Sequence, residues 1–167
     1  MNSSKKNDLG ILANQSPQTP FALNLYGKYF STLDQTSEAS RFFSEALKAA
    51  PHFCEPYNNL GQLMWKVGQQ KEAFIFFSQA LSKNPHLLIA QLNFFEAGLE
   101  LEEYETTLNV IKYLEDEIPD CSEFLYYKAI CKHKLGAADE AKSILKRILK
   151  KQPGDTEAQQ LLDHYSL

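Results

Sequence analysis

Apolar residues recur along this chain at spacings of three and four, and the runs are interrupted by turn-forming residues. That period puts one apolar stripe on each of a series of short α-helices; it does not fit the strict alternation of a half-buried strand. The stripes come in pairs. Tyr57, Leu60 and Met64 mark one helix, Ala73, Phe77 and Ala80 the next, and Gly68 falls between them. Glycine suits the left-handed backbone that ends a helix at little steric cost. Gly136 holds the same place later in the chain. The pattern predicts helix hairpins, and because one hairpin cannot bury its own stripe, the hairpins must stack.

The prolines give the period. Pro17, Pro51, Pro85, Pro119 and Pro153 are each 34 residues apart and make up five of the seven prolines. A proline cannot continue a helix, so each marks the same stop in a repeated unit. Four units follow: 20–53, 54–87, 88–121 and 122–155. The second reads Tyr57-x-x-Leu60-Gly61-x-x-Met64, then Gly68, Ala73-x-x-x-Phe77-x-x-Ala80 and Pro85. The first carries Leu23, Tyr26, Gly27, Phe30, Ala39, Phe43, Ala46 and Pro51, and the fourth Leu125, Ala129, Gly136, Ala141, Leu145, Ile148 and Pro153. This order resembles the tetratricopeptide repeat across 20–155. The resemblance implies an all-α, right-handed superhelical solenoid of antiparallel helix hairpins, whose first helices line a concave groove for a peptide or helix.

Small residues should let the two helices of a hairpin approach, with Gly27 facing Ala39, Gly61 facing Ala73 and Ala129 facing Ala141. Phe43, Phe77 and Leu145 should then fill the space between hairpins. Pro20 and Pro56 fall in first helical turns, where a missing N–H costs little. Unit three departs from the pattern. Phe95 and Thr107 take the close-contact positions, Gly98 stands where a large residue is expected, and Glu102 replaces the turn glycine. Either Phe95 fills the space that Gly98 vacates, or the solenoid changes curvature there. At the C-terminus Asp155 is a good N-cap. Ala158, Leu161, Leu162 and Tyr165 form one apolar side of a capping helix over 156–167. The N-terminal segment 1–19 carries Leu9, Leu12 and Ala13 in the phase of a second helix, so a short helix over 5–14 is expected, with residues 1–4 disordered.

The composition fits a globular chain: 167 residues, 44% hydrophobic and 12% aromatic. A net charge of −4 argues against a general nucleic-acid binder. Three cysteines without a CxxC pair read as reduced thiols in a reducing compartment. No signal peptide opens the sequence and no transmembrane stretch of 18 apolar residues occurs, so a cytoplasmic protein is expected. No HExxH, GxSxG, P-loop or GxGxxG is present; no catalytic residue, metal or cofactor is expected. Glu102, Glu103 and Glu105 read as a solvated helix N-terminus. Charge is nonetheless uneven. Residues 88–121 hold nine acids and one lysine, whereas 122–155 hold eight bases and four acids, with Lys142, Lys146, Arg147, Lys150 and Lys151 together on the second helix of unit four.

Carried over by repeat position, the groove consists of Asn24 and Lys28 from unit one, flanked by Phe21, Ser31 and Thr32. Unit two adds Asn58, Gln62, Trp65 and Lys66, unit three Leu92, Glu96 and Leu99, and unit four Tyr126, Ile130, His133 and Lys134. The groove grades from amide-rich to apolar, with the single tryptophan between. Trp65 and Tyr126 either anchor a ligand or pack on neighbouring helices. Some members of the family hold carboxylate-ending tails through a lysine and asparagine, a second asparagine, then a lysine and arginine. The corresponding residues here are, in that order, Asn24, Lys28, Asn59, Ile89 and Asn93; the central Asn59 fits but the lysine–arginine pair is absent, so that class of partner is not expected. The reading is a non-catalytic adaptor or scaffold holding a protein or peptide ligand. The alternatives are a self-assembling oligomeric scaffold and an accessory N-terminal domain of a larger enzyme such as a glycosyltransferase.

Overall fold

The structure is a computed structural model and describes residues 19–118 and 124–166; the expected short helix over 5–14 and Cys121 lie outside them. Among the described residues there are nine α-helices and no strand. They run α1 (Pro20–Thr32), α2 (Thr36–Ala49), α3 (Cys54–Lys66), α4 (Gln70–Lys83), α5 (Leu88–Glu100), α6 (Tyr104–Glu117), α7 (Phe124–Lys134), α8 (Ala138–Lys151) and α9 (Thr156–His164).

The three-residue turns inside the pairs are built alike. Asp34, Gly68, Glu102 and Gly136 have φ of 57°, 81°, 58° and 82°. In each case the next N–H reaches back five residues: Gln35 to Phe30 O, Gln69 to Met64 O, Glu103 to Gly98 O and Ala137 to Lys132 O, at 2.8–3.0 Å. These are Schellman caps, which satisfy carbonyls that the helix end leaves open. Glu102 therefore keeps the turn while bearing the steric penalty that glycine avoids, and so does Asp34 in unit one. The second helices end differently. Ala50, Asn84, Ile118 and Gln152 are all extended, with φ between −134° and −146°, and each precedes one of the phase prolines. Steric conflict with the proline ring forces that extended backbone.

The chain divides into two compact units, Met1–Ala90 and Gln91–Leu167. The first has an aromatic core. Phe42 and Phe43 of α2 are buried with Leu23 and Phe30 of α1 and Leu60 and Leu63 of α3. Phe30 and Phe42 stack at 5.2 Å with nearly parallel rings. The expected close approach of Gly61 to Ala73 is present, a β-carbon there standing 3.1 Å from the Ala73 carbonyl oxygen, but rings come closer still. A β-carbon on Gly27 would stand 2.5 Å from the Phe43 ring, and one on Gly61 would collide with Phe77. The glycines make room for a ring of their own hairpin rather than for an alanine alone, because a flat ring needs the whole width of a missing side chain.

The second unit has an aliphatic cluster at its C-terminal end, around Leu125, Ala129, Ala141, Ile144, Leu145 and Ile148 and closed by Ala158 and Tyr165. Leu145 occupies the repeat position of Phe43 and Phe77, and Ala129 that of Gly27 and Gly61. A narrower side chain opposite lets the glycine become alanine. Phe95 is buried among other rings, 5.6 Å from Phe124 and 4.7 Å from Tyr127. Buried Thr107 satisfies its hydroxyl by donating to the Glu103 carbonyl at 2.7 Å. Two ion pairs tie α7 to its neighbours: Lys128 to both oxygens of Glu115 on α6, and Lys132 to Glu140 on α8.

Candidate functional site

In the first unit α1 and α3 present an open polar cleft of about 200 Å³, lined by Lys28, Ser31, Thr32, Asn59 and Gln62, with the edge of Phe43 at its floor. Repeat spacing creates it. Lys28 and Gln62 hold the same position in successive units, 34 residues apart, so both project from the same face of their helices. Both are exposed. The Asn59 amide donates to Asn24 Oδ1 at 2.8 Å across the two helices. Asn24 is thereby satisfied inside the protein and buried, as is Asn58. The cleft thus presents one cation, two hydroxyls and two amides, of which the Thr32 hydroxyl already donates to the Tyr29 carbonyl at 2.7 Å and the Asn59 amide to Asn24.

Of the residues assigned to the groove from repeat position, Lys28 and Gln62 meet in this cleft. Asn59, Ser31 and Thr32 complete it. Asn24 and Asn58 form its buried support. Lys66 pairs with the exposed Asp34 carboxylate, and Trp65 is half-buried on the same helix. On α5, Leu92 and Glu96 are exposed and Leu99 half-buried.

The α7 residues sit in a different setting. The Tyr126 hydroxyl donates to the Asp155 carboxylate, whose other oxygen accepts the Ala158 N–H at 3.0 Å as the N-cap of α9. Burial, and then the adjoining Asp155, push the Tyr126 hydroxyl far above the usual tyrosine range. The hydrogen bonds from Ala158 N–H and Tyr126 hold the Asp155 carboxyl below its ordinary value. At the other end of α9, the Tyr165 ring lies flat on His133, with centroids 3.7 Å apart and planes within 4°. Ile130 is half-buried and Lys134 exposed. So α9 is fastened to α7 at both ends, over two of the four positions assigned there to a groove.

Asp34, Asp155 and Tyr165 were not read as partners of groove residues. Asp34 and Tyr165 each lie 32 residues from their partners Lys66 and His133, close to one repeat, whereas Asp155 lies 29 from Tyr126. Cys54 and Cys131 are buried free thiols. Burial raises both, Cys131 to about 11, which leaves them protonated and unreactive at neutral pH. Among the described residues no group of three His, Cys, Asp or Glu side chains could hold a metal ion. No described helix is long and apolar enough to cross a membrane.

Comparison with known proteins agrees with the repeat. Residues 98–164 match the family model of the tetratricopeptide repeat. No curated protein matches the chain in sequence. Among solved structures, MamA (residue 41 to its end) from Desulfovibrio magneticus RS-1 is 15% identical over 87% of this chain and 82% of that one, with a TM-score of 0.67. YrrB is 17% identical over 89% of this chain and 77% of its own, at 0.66. A tetratricopeptide repeat protein from Parabacteroides merdae ATCC 43184 is 24% identical over 86% of this chain and 57% of that one, at 0.70. The family model thus matches residues 98–164, and the chain shares the fold of these tetratricopeptide repeat structures across most of its length.

Proposed function

We propose that this chain is a non-catalytic interaction scaffold that holds an extended peptide segment of a partner protein, with the α1–α3 cleft as a principal contact. The observation that carries this reading is the cleft itself, where five polar side chains converge on open space while the amide beneath them is already satisfied. An extended peptide presents carbonyls and N–H groups that need such partners. Lys28 selects a ligand with a carbonyl or carboxylate at that end. YrrB, which shares the fold, is described as having an unusual peptide-binding site; that supports a peptide ligand for this chain without naming it.

The test is a random peptide library panned on the full chain, followed by affinity measurement of the selected peptides. Replacing Lys28 and Gln62 together by alanine should weaken binding about tenfold or more, the equivalent of roughly one strong interface contact, without lowering the melting temperature. Peptides that bind the double variant as tightly as wild type would place the site elsewhere.

A further inference from the structure

Charge in the second unit is sorted into two faces. Helix α8 buries Ala141, Ile144, Leu145 and Ile148 completely or nearly so. Its outer side carries the exposed Lys146, Arg147 and Lys150 and the half-buried Lys142, with exposed Lys151 at the helix end, and a hollow of about 410 Å³ is bordered by Lys142, Lys146, Arg147, Lys150, Asp139 and Ser143. Spacings of four and eight put Lys142, Lys146 and Lys150 in one row about 12 Å long. Among the described residues none of these five cations makes an ion pair, whereas Lys128 and Lys132 of the adjacent α7 both do. Five like charges on three turns repel one another, with only Asp139 among the hollow's lining to offset them, and an outside anion relieves that repulsion.

The same unit supplies the complement. Glu96 on α5, Glu102 and Glu103 in the following turn, and Glu105 at the start of α6 are all exposed, although Glu105 also borders a hollow with Lys112, Lys128 and Lys132. Glu103 has a Thr106 hydroxyl for company, not a cation. We propose that the basic face of α8 docks on the acidic α5–α6 end of a second copy of this chain. Two observations favour a protein surface over an anionic bilayer. The apolar side of α8 is enclosed in its own core and has nothing to insert. The chain as a whole is −4, so a negative membrane repels the remainder of the molecule. Because the two faces differ, the contact is heterologous: each copy offers both a donor and an acceptor face, and association is open-ended. It depends on several exposed pairs acting as a network, hence on salt. The proposal is independent of the α1–α3 cleft.

The experiment is sedimentation velocity of the full chain across concentration, at about 20 mM and about 300 mM salt, where screening lengths differ several-fold. Wild type should grow in mass with concentration at low salt and revert toward monomer at high salt. Lys146→Glu with Arg147→Glu should weaken association about tenfold or more, as should Glu102→Lys with Glu105→Lys. Mixing the two charge-reversed proteins should restore it, since each then meets an opposite face only on the other. Circular dichroism checks that both fold, with Lys146→Gln and Arg147→Gln as the milder substitute. The Lys28→Ala, Gln62→Ala protein should associate as wild type does. A wild type that stays monomeric at low salt overturns the proposal, and so does a mixture no more associated than its folded components. Binding to phosphatidylserine vesicles that is lost on reversing Lys146 and Arg147, in a protein that does not self-associate, overturns it in favour of lipid.

Discussion

Helices α1 and α3 in the first unit, and α7 and α9 in the second, occupy corresponding places in the repeat, yet one pair leaves an open cleft and the other engages two of its corresponding side chains with the next helix. Asn24 aligns with Tyr126, Lys28 with Ile130 and Ser31 with His133. Across α1 and α3 the Asn59–Asn24 amide bond spans the helices and leaves a polar cleft beside it. Across α7 and α9 a tyrosine reaches the N-cap carboxylate and a tyrosine covers a histidine. Backbone geometry alone therefore does not make a binding face. Short amides and a flexible lysine keep the first pair accessible, whereas large rings with one polar atom close the last, because a ring removes much more apolar surface from water.

The sharpest way to break this contrast is Tyr165→Ala. Tyr165 is buried against Ala158 and the α8 residues and stacks on His133. Its removal should cost about 3 kcal/mol in chemical denaturation, fray α9 and leave peptide binding at Lys28 and Gln62 intact. A loss below about 1 kcal/mol would mean that α9 does not seal the end. Next is Gly61→Ala, where the new methyl meets the Phe77 ring; about 1–3 kcal/mol of overpacking is expected. The reciprocal Ala129→Gly should cost only about 1 kcal/mol, the helix-propensity difference plus a small void. Equal costs would sink the idea that ring width dictates glycine in the first unit and leucine permits alanine in the second.

Asp155→Ala should lower the melting temperature by removing both the cap and the partner of Tyr126. Its pH dependence has a definite sign. The folded carboxyl lies below its ordinary value, so its contribution is complete above the unfolded pKa of about 4 and is lost as pH falls through the lower folded value. The gap in melting temperature between wild type and Asp155→Ala should hold steady from neutral pH down to about 4 and narrow below it. The smallest effect belongs to the turns. Glu102→Gly should stabilise by up to about 1 kcal/mol, since φ of 58° favours glycine, and Gly68→Ala at φ of 81° should destabilise by a similar amount. Urea midpoints of the two variants moving in the same direction would contradict this account.

Much of the scaffold could be read directly from the residues. The phase of the prolines marks where the second helices end in extended backbone, Gly68 and Gly136 mark left-handed turns, and Asp155 marks the start of α9. These features are local: a proline ring, a missing β-carbon and a short carboxylate each act on backbone within a few residues, so the sequence carries them explicitly. Repeat position also brought Lys28 and Gln62 to one face. What neighbouring side chains do across helices was settled by packing in three dimensions. Gly27 and Gly61 face rings one turn further along their partners, since a ring's reach and tilt depend on every neighbour in a close-packed core. Tyr126 and His133 stand at groove positions by number, but α9 closes over them with Asp155 and Tyr165. The period determined which helix faces align; only the tertiary structure decided which of those faces remained free, because burial depends on what the rest of the chain lays on top.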